Sequence, residues 1–348
     1  MKAKQHLKRI TTLAVMLAVS STLFISSMVT AKDITSVTIK TFMRAETDVA
    51  IKRVHDQIGF NKWIHFRMPT PLDKQDVIRI NRDTIYSSAV LDLSKPVTIT
   101  MPDASGRYMS LHVINQDHYS FVVSKSGAHK LTQEKVGSRY AYLIARTFVD
   151  PDDPNDIKAA NAAQDAMTIA GGGNGPLDVP NWNMEQLLEA RGALNTLAKL
   201  GGNAALAFGT KEEVNPINHL VFGAAGWGGL PQKSAFYEIK TVAENDGTPH
   251  SVTAKDVPVD AFWSITVYGA DGFIKENPEG RYSFNNITAK PNKDGSITIN
   301  FGACEDSRVN CLPILTGWNY AVRMYEPRKE ILDGSWKFPG IKPVKKID

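Results

Sequence analysis

Cysteine is nearly absent: the 348 residues hold two, Cys304 and Cys311, both inside ACEDSRVNCLP. One such segment has too few ligands for a metal site, and its spacing is wider than the Cys-x-x-Cys of a redox couple. In an oxidising compartment two thiols so close in sequence are expected to pair, and closing that short loop stabilises by about 2 to 3 kcal/mol on the loop-entropy account. Familiar catalytic signatures are missing as well. There is no Gly-x-Ser-x-Gly elbow and no His-Glu-x-x-His helix, and GAAGWGGLP has neither the lysine nor the spacing of a phosphate loop. No metal site is therefore expected, and no cofactor or oligomeric state is legible.

A second long apolar run is also lacking. The first one, ITTLAVMLAVSSTLFISSMV, follows a basic head of Lys2, Lys4, Lys8 and Arg9 and precedes Val29-Thr30-Ala31, the small residues that a signal peptidase reads. The expectation is a signal peptide over residues 1–31 cleaved after Ala31, with a periplasmic or secreted product and no stable membrane anchor afterwards. The segment holds four basic residues and no acidic one, so the formal charge of +4 belongs to it and the remainder balances at 36 Lys plus Arg against 36 Asp plus Glu. A balanced chain has no global field to draw nucleic acid, so a small-molecule ligand is the expected partner.

What is present changes texture along the chain. VTIKTFMRAETDVAIKRVHDQIG sets Phe42, Ala45, Val49 and Ile58 near helical spacing among charges, which predicts an N-terminal amphipathic helix. Short runs rich in β-branched and aromatic residues follow (VIRI, TIYSSAVLDL, VTITM, RYMSLHVI, HYSFVV, YAYLIA), separated by hairpin-length loops. They predict an antiparallel sheet or sandwich. PDDPNDIKAANAAQDAMTIA and NWNMEQLLEARGALNTLAKLGG then read as helices, EEVNPINHLVF as a third, and GAAGWGGLP as irregular. The last hundred residues return to strands. The domain reading is residues 32–150 as an N-terminal β domain with a leading helix, 151–235 as a helical and glycine-rich connection, and 236–348 as a second β domain.

Two separated stretches carry a family resemblance. IRINRDTIYSSAVLDLSKP with RYMSLHVINQDHYSF resembles the N-terminal bacterial domain of unknown function numbered 1254. DAFWSITVYGADGFIKENPEGRYSF, DGSITINF, NCLPILTGWNYAVRMYEP and DGSWKFP resemble its usual C-terminal companion, numbered 1214. The resemblance implies a mainly β chain of two antiparallel, jelly-roll-like β-sandwich domains, frequent in exported bacterial proteins, and no agreed reaction. Where this chain has Asn310-Cys311-Leu312-Pro313 the family commonly has tryptophan in place of the cysteine, which makes the disulfide a local feature of this branch.

Parity picks out the candidate site. In RYMSLHVI, Met109, Leu111 and Val113 face a core and send Tyr108, Ser110, His112 and Ile114 to the other face. In HYSFVV, Tyr119, Phe121 and Val123 form the apolar set and His118 and Ser120 lie opposite it. A hairpin between these strands puts His112 and His118 on one face and needs an odd loop, most simply Asn115-Gln116-Asp117. The bland reading of that face is solvated polar strand. At IRINRDTIY, Asn81 or Asp83 suits a turn, whereas Arg82 and Tyr86 exceed what a turn needs. The enzyme reading makes Asp83 with His112 or His118 the catalytic groups of a hydrolase and Asn81, Arg82, Tyr86 and Tyr108 the ligand contacts. Its rival is a non-catalytic binding or assembly module of the cell envelope. Trp227, Trp263, Trp318, Trp336 and Arg323 read as packing and a paired structural arginine.

Overall fold

The computed structural model describes residues 33–75, 78–200 and 204–345; the signal-peptide expectation lies outside them. The fold is mainly β, with several sheets built from antiparallel neighbours. In the N-terminal half a five-stranded sheet runs in the order Ile64–His65, Thr84–Asp92, Tyr140–Phe148, Met109–Asn115, Ser120–Val123. A three-stranded sheet is formed by Gly127–Leu131, Val97–Met101 and Thr168–Gly171. Leu91, Val97, Ile99, Leu111, Val113, Leu131 and Leu143 fill one core shared by the two sheets. Alternation explains the fit, since successive side chains of a strand point to opposite faces.

Thr168–Gly171 ends the sequence stretch expected to be all helix. The helix spans Pro154–Asp165, capped by the Asp153 side chain on the Asn155 N–H, and the chain then extends to pair with Val97–Met101. Ile169 supplies the reason: it packs against the shared core, and the β-branched pair Thr168-Ile169 gains more from the ladder on the open side of Val97–Met101 than from extending the helix.

The Met109–Asn115 hairpin has the expected parity with a shifted loop. Leu111 pairs with Val123 and Val113 with Phe121, and the Asn115 N–H donates to the Tyr119 carbonyl, so the three loop residues are Gln116, Asp117 and His118. Asn115 causes the shift. Its Oδ1 accepts from the N–H groups of Asp117 and Tyr119, closing the turn from inside the ladder and leaving His118 at φ 67°.

The outer face of the five-stranded sheet is buried, which corrects the solvated reading: Ser110 and His112 are both 0 % exposed. The helix Phe42–Ile58 covers one end, packing Ile51 and Val54 on Val90, Ile114, Tyr140 and Tyr142. The helices Met184–Lys199 and Pro216–Ala225 pack beside it around Phe42, Met43 and Leu187. The C-terminal half has two four-stranded sheets. One orders Ala235–Thr241, Asn319–Tyr325, Trp263–Tyr268, Ser283–Asn285, and the other Cys311–Leu312, Ile297–Phe301, His250–Ala254, Lys342–Pro343. Val252, Ile265, Ile299, Phe301, Trp318 and Val322 share the core between them, so Trp318 is a core plug. Cys304 and Cys311 are bonded. Among the described residues no helix is long and apolar enough to cross a membrane.

Candidate functional site

The stretch around Asn81 is a turn and a junction at once. Asn81 Oδ1 accepts from the Asp83 N–H at 2.9 Å, an Asx turn of the kind that starts strands. Its Nδ2 reaches Thr84 Oγ1 at 2.9 Å, the Tyr325 hydroxyl at 3.0 Å and the Tyr86 hydroxyl at 3.3 Å. Tyr86 stands on the N-terminal sheet and Tyr325 on the C-terminal one, so a single amide ties the two sheets together.

Asp83 turns away from the histidines. Its carboxylate is 0 % exposed, accepts from Ser264 Oγ at 2.6 Å and lies beside Arg323 and Asn285. Burial pushes it above the ordinary carboxylate range, with Arg323 the main opposing influence. Among the described residues no hydrogen bond joins it to His112 or His118, which corrects the expected carboxylate–histidine contact. Parity is the reason: Asp83 keeps step with Ile85, whereas Thr84 and Tyr86 share the outer face. Arg82 also leaves the row, donating to the Thr70 carbonyl at 3.3 Å with its guanidinium 5.2 Å from the Tyr282 ring centroid.

The groups that do meet form a row across three strands. Tyr86 pairs with Arg146, and Arg146 with Ser110. Arg146 is 7 % exposed, donates to the Gly228 carbonyl at 2.9 Å, lies 3.5 Å from His112 Nδ1 and sits 5.6 Å from the Tyr86 ring centroid. Among the described residues no carboxylate pairs with it. Burial first, then Arg146 and His118, hold His112 well below its usual range, so its imidazole is neutral. With Nδ1 toward the guanidinium, the ring proton belongs on Nε2, a buried atom without a protein partner.

His118 anchors the glycine-rich loop over this row. The Gly228 N–H donates to His118 Nε2 at 2.9 Å, so one residue is held on both sides, by His118 at its nitrogen and by Arg146 at its carbonyl oxygen. Gly228 has φ 77°, and a Cβ there would stand 3.0 Å from Ile144 Cδ1, so both the turn and the close approach call for glycine. Burial, with His219 adding, pushes His118 down to about 3.

The C-terminal sheet supplies the opposite wall. Tyr237 pairs with Arg323 across the ladder. The residue is 41 % exposed, yet its hydroxyl is raised above the usual phenol range by burial, with Arg146, Arg323 and Tyr86 within electrostatic reach. A group that water touches while protein crowds it from several sides lies on the wall of a crevice. Tyr108 and Tyr325 are likewise pushed up by burial, and their rings stand 5.4 Å apart. Protonated phenols, neutral imidazoles and one unmatched guanidinium suit an anion or a polar carbonyl better than they suit general-base chemistry. No group of three or more His, Cys, Asp or Glu side chains able to hold a metal ion occurs among the described residues.

Sequence reasoning reached Asn81, Tyr86, Tyr108 and His112 in this crevice and missed Arg146, Gly228, Tyr237 and Tyr325. Arg146 carried a signal: it is the lone charge in the strand YAYLIARTF, on the same parity as Tyr140 and Tyr142.

Residues 60–136 match the family described as Protein of unknown function (DUF1254), and residues 241–329 match Protein of unknown function (DUF1214). The chain resembles both members of this domain pair. Among solved structures it is similar to the VPA0106 protein from Vibrio parahaemolyticus, at 21 % identity, over 88 % of this chain and 98 % of that one, with a TM-score of 0.66. At that identity the likeness is one of fold. An uncharacterized protein from Burkholderia cenocepacia aligns over 88 % of each chain at 12 % identity with a TM-score of 0.47. No curated protein matches the sequence.

Proposed function

We propose that this chain binds a small anionic molecule in the crevice between the two sheets, with Arg146 as its cation and the hydroxyls of Tyr86, Tyr108 and Tyr237 as donors. The observation that carries the reading is Arg146 itself. A buried guanidinium without a carboxylate is costly unless a ligand completes it, and water already reaches the wall opposite. The test is calorimetric titration with small carboxylates from acetate to benzoate, against Arg146→Gln. At least one should bind the wild type and lose tenfold or more in the variant. Equal binding by both proteins refutes the assignment.

The narrower enzyme reading, a hydrolase-like activity, draws support from His112 and Tyr86 and none from Asp83, whose carboxylate serves Ser264 and Arg323. A non-catalytic binding module of the envelope uses the same crevice without turnover, and product analysis on any ligand found separates the two. Within this proposal the two pairs of sheets are jelly-roll-like sandwiches carried by residues 32–150 and 236–348, with the connection 151–235 lending the strand Thr168–Gly171 to the first. The protein acts outside the cytoplasm after cleavage behind Ala31. The bonded cysteines favour such a compartment, and intact-mass measurement of envelope protein should find Lys32 first.

A further inference from the structure

A second depression lies away from the tyrosine crevice. It is a cleft of about 390 Å³ between the turn that follows Tyr140–Phe148, carrying Asp150 and Asp152, and the edge strand Ser283–Asn285 with its neighbours Arg281 and Lys290. That volume falls within the range of small-molecule sites.

Charge sorts to opposite walls. Asp150 and Asp152 make no ion pair among the described residues, though Arg82 lies within electrostatic reach of Asp152; Arg281 and Lys290 make none either, whereas Arg308 nearby is engaged by Asp306. PDDPND crowds Asp150 with Asp152, Asp153 and Asp156, of which Arg107 takes only Asp156. Burial first, then these like charges, push Asp150 above its usual range against the Asp152 N–H that its Oδ1 accepts, which leaves a carboxylate short of a cationic partner. Opposite charges that face each other across a cleft without closing it suit a ligand bearing both signs.

The edge strand adds backbone recognition. Ser283–Asn285 is the last strand of its sheet and, among the described residues, pairs only with Trp263–Tyr268. The Tyr282 carbonyl accepts from the Val267 N–H and the Asn286 N–H donates to the Trp263 carbonyl. Antiparallel alternation then turns the N–H and C=O of Ser283 outward, toward the cleft. The Ser283 and Thr288 hydroxyls, also in the lining, have no hydrogen-bond partner among the described residues.

We propose that this cleft binds a short peptide with free ends, laid along the Ser283–Asn285 edge with its ammonium at Asp150 and Asp152 and its carboxylate at Arg281 and Lys290. Strand addition supplies the main-chain bonds, and the two charged walls read the termini. The site is separate from Arg146 and does not depend on what the crevice holds.

The experiment is calorimetric titration of the purified protein with trialanine, N-acetyl-trialanine and trialanine amide. Trialanine should bind, and each blocked peptide should bind at least tenfold more weakly. In Asp150→Asn/Asp152→Asn, acetylation should cease to matter; in Arg281→Gln/Lys290→Gln, amidation should cease to matter; Arg146→Gln should bind trialanine like the wild type. Failure of the wild type to bind trialanine, or equal affinity for all three peptides, overturns the proposal without reliance on any variant's folding.

Discussion

Arg146 and Arg323 occupy equivalent settings and are treated in opposite ways. Each stands two residues before the end of an interior strand, each points to the sheet face turned from its own core, and each is almost fully buried, at 7 % and 5 % exposure. Arg323 donates to Thr266 Oγ1, the Tyr268 hydroxyl and the carbonyls of Arg79 and Ile80, and Asp83 lies near it. Arg146 has one carbonyl at bonding distance and a long approach to His112. A cation ringed by four acceptors holds the two halves together, whereas one with a single close acceptor has donors left for something else. Burial alone does not separate structural from functional charge; the number of committed donors does.

The comparison breaks most decisively at Arg323. Arg323→Met leaves the Asp83 carboxylate buried without its cation and should cost about 3 to 5 kcal/mol in urea unfolding. Arg146→Met removes an unmatched charge and should shift stability by no more than about 1 kcal/mol while ending anion binding. Similar losses for the two variants would dissolve the distinction.

Acid sharpens it next, because the loop over Arg146 hangs on a neutral imidazole. His118 is held at about 3 in the folded chain against 6.5 when exposed, so below pH 6.5 the unfolded chain binds more protons and stability falls as pH drops. This residue alone should cost about 2 to 3 kcal/mol between pH 7 and 4.5. Asp83, raised by burial, acts in the opposite sense over the lower part of that range. The slope is therefore best read as the difference between wild type and His118→Asn, which should lose this acid sensitivity.

A smaller effect is expected at Asn81, the link between the two neighbourhoods. Asn81→Ala gives up the Asx turn and the bonds to Tyr86 and Tyr325, for about 1 to 2 kcal/mol, and should weaken anion binding with it. Arg82→Ala should change stability by less than about 1 kcal/mol and leave anion binding unaltered, since Arg82 turns to Thr70 and Tyr282.

Much of this was legible before folding was considered. The parity of Met109, Leu111 and Val113 separates a core face from a polar one because the strand period is two, whatever the partner. The Asx turn at Asn81 needs only three residues, and the Cys304–Cys311 bond only a short loop. The polar face around His112 was visible too, while its burial was not, since burial depends on the helix Phe42–Ile58 and on the loop at Gly228, both distant in the chain. Asp83 misled for a related reason: its neighbours in sequence face the crevice, and one step of parity delivers it to the other sheet.

The sequence by itself determined which residues alternate, where strands begin and which cysteines meet, because these follow from local geometry and short loops. Tertiary structure decided which polar groups would be spent. Asn81, Asp83 and Arg323 draw their partners from opposite ends of the chain, and Tyr237 becomes a crevice wall only when the second sheet packs against the first. Whether a buried charge is satisfied depends on atoms hundreds of residues away in the chain and within 3 Å in space, a relation that no local pattern encodes.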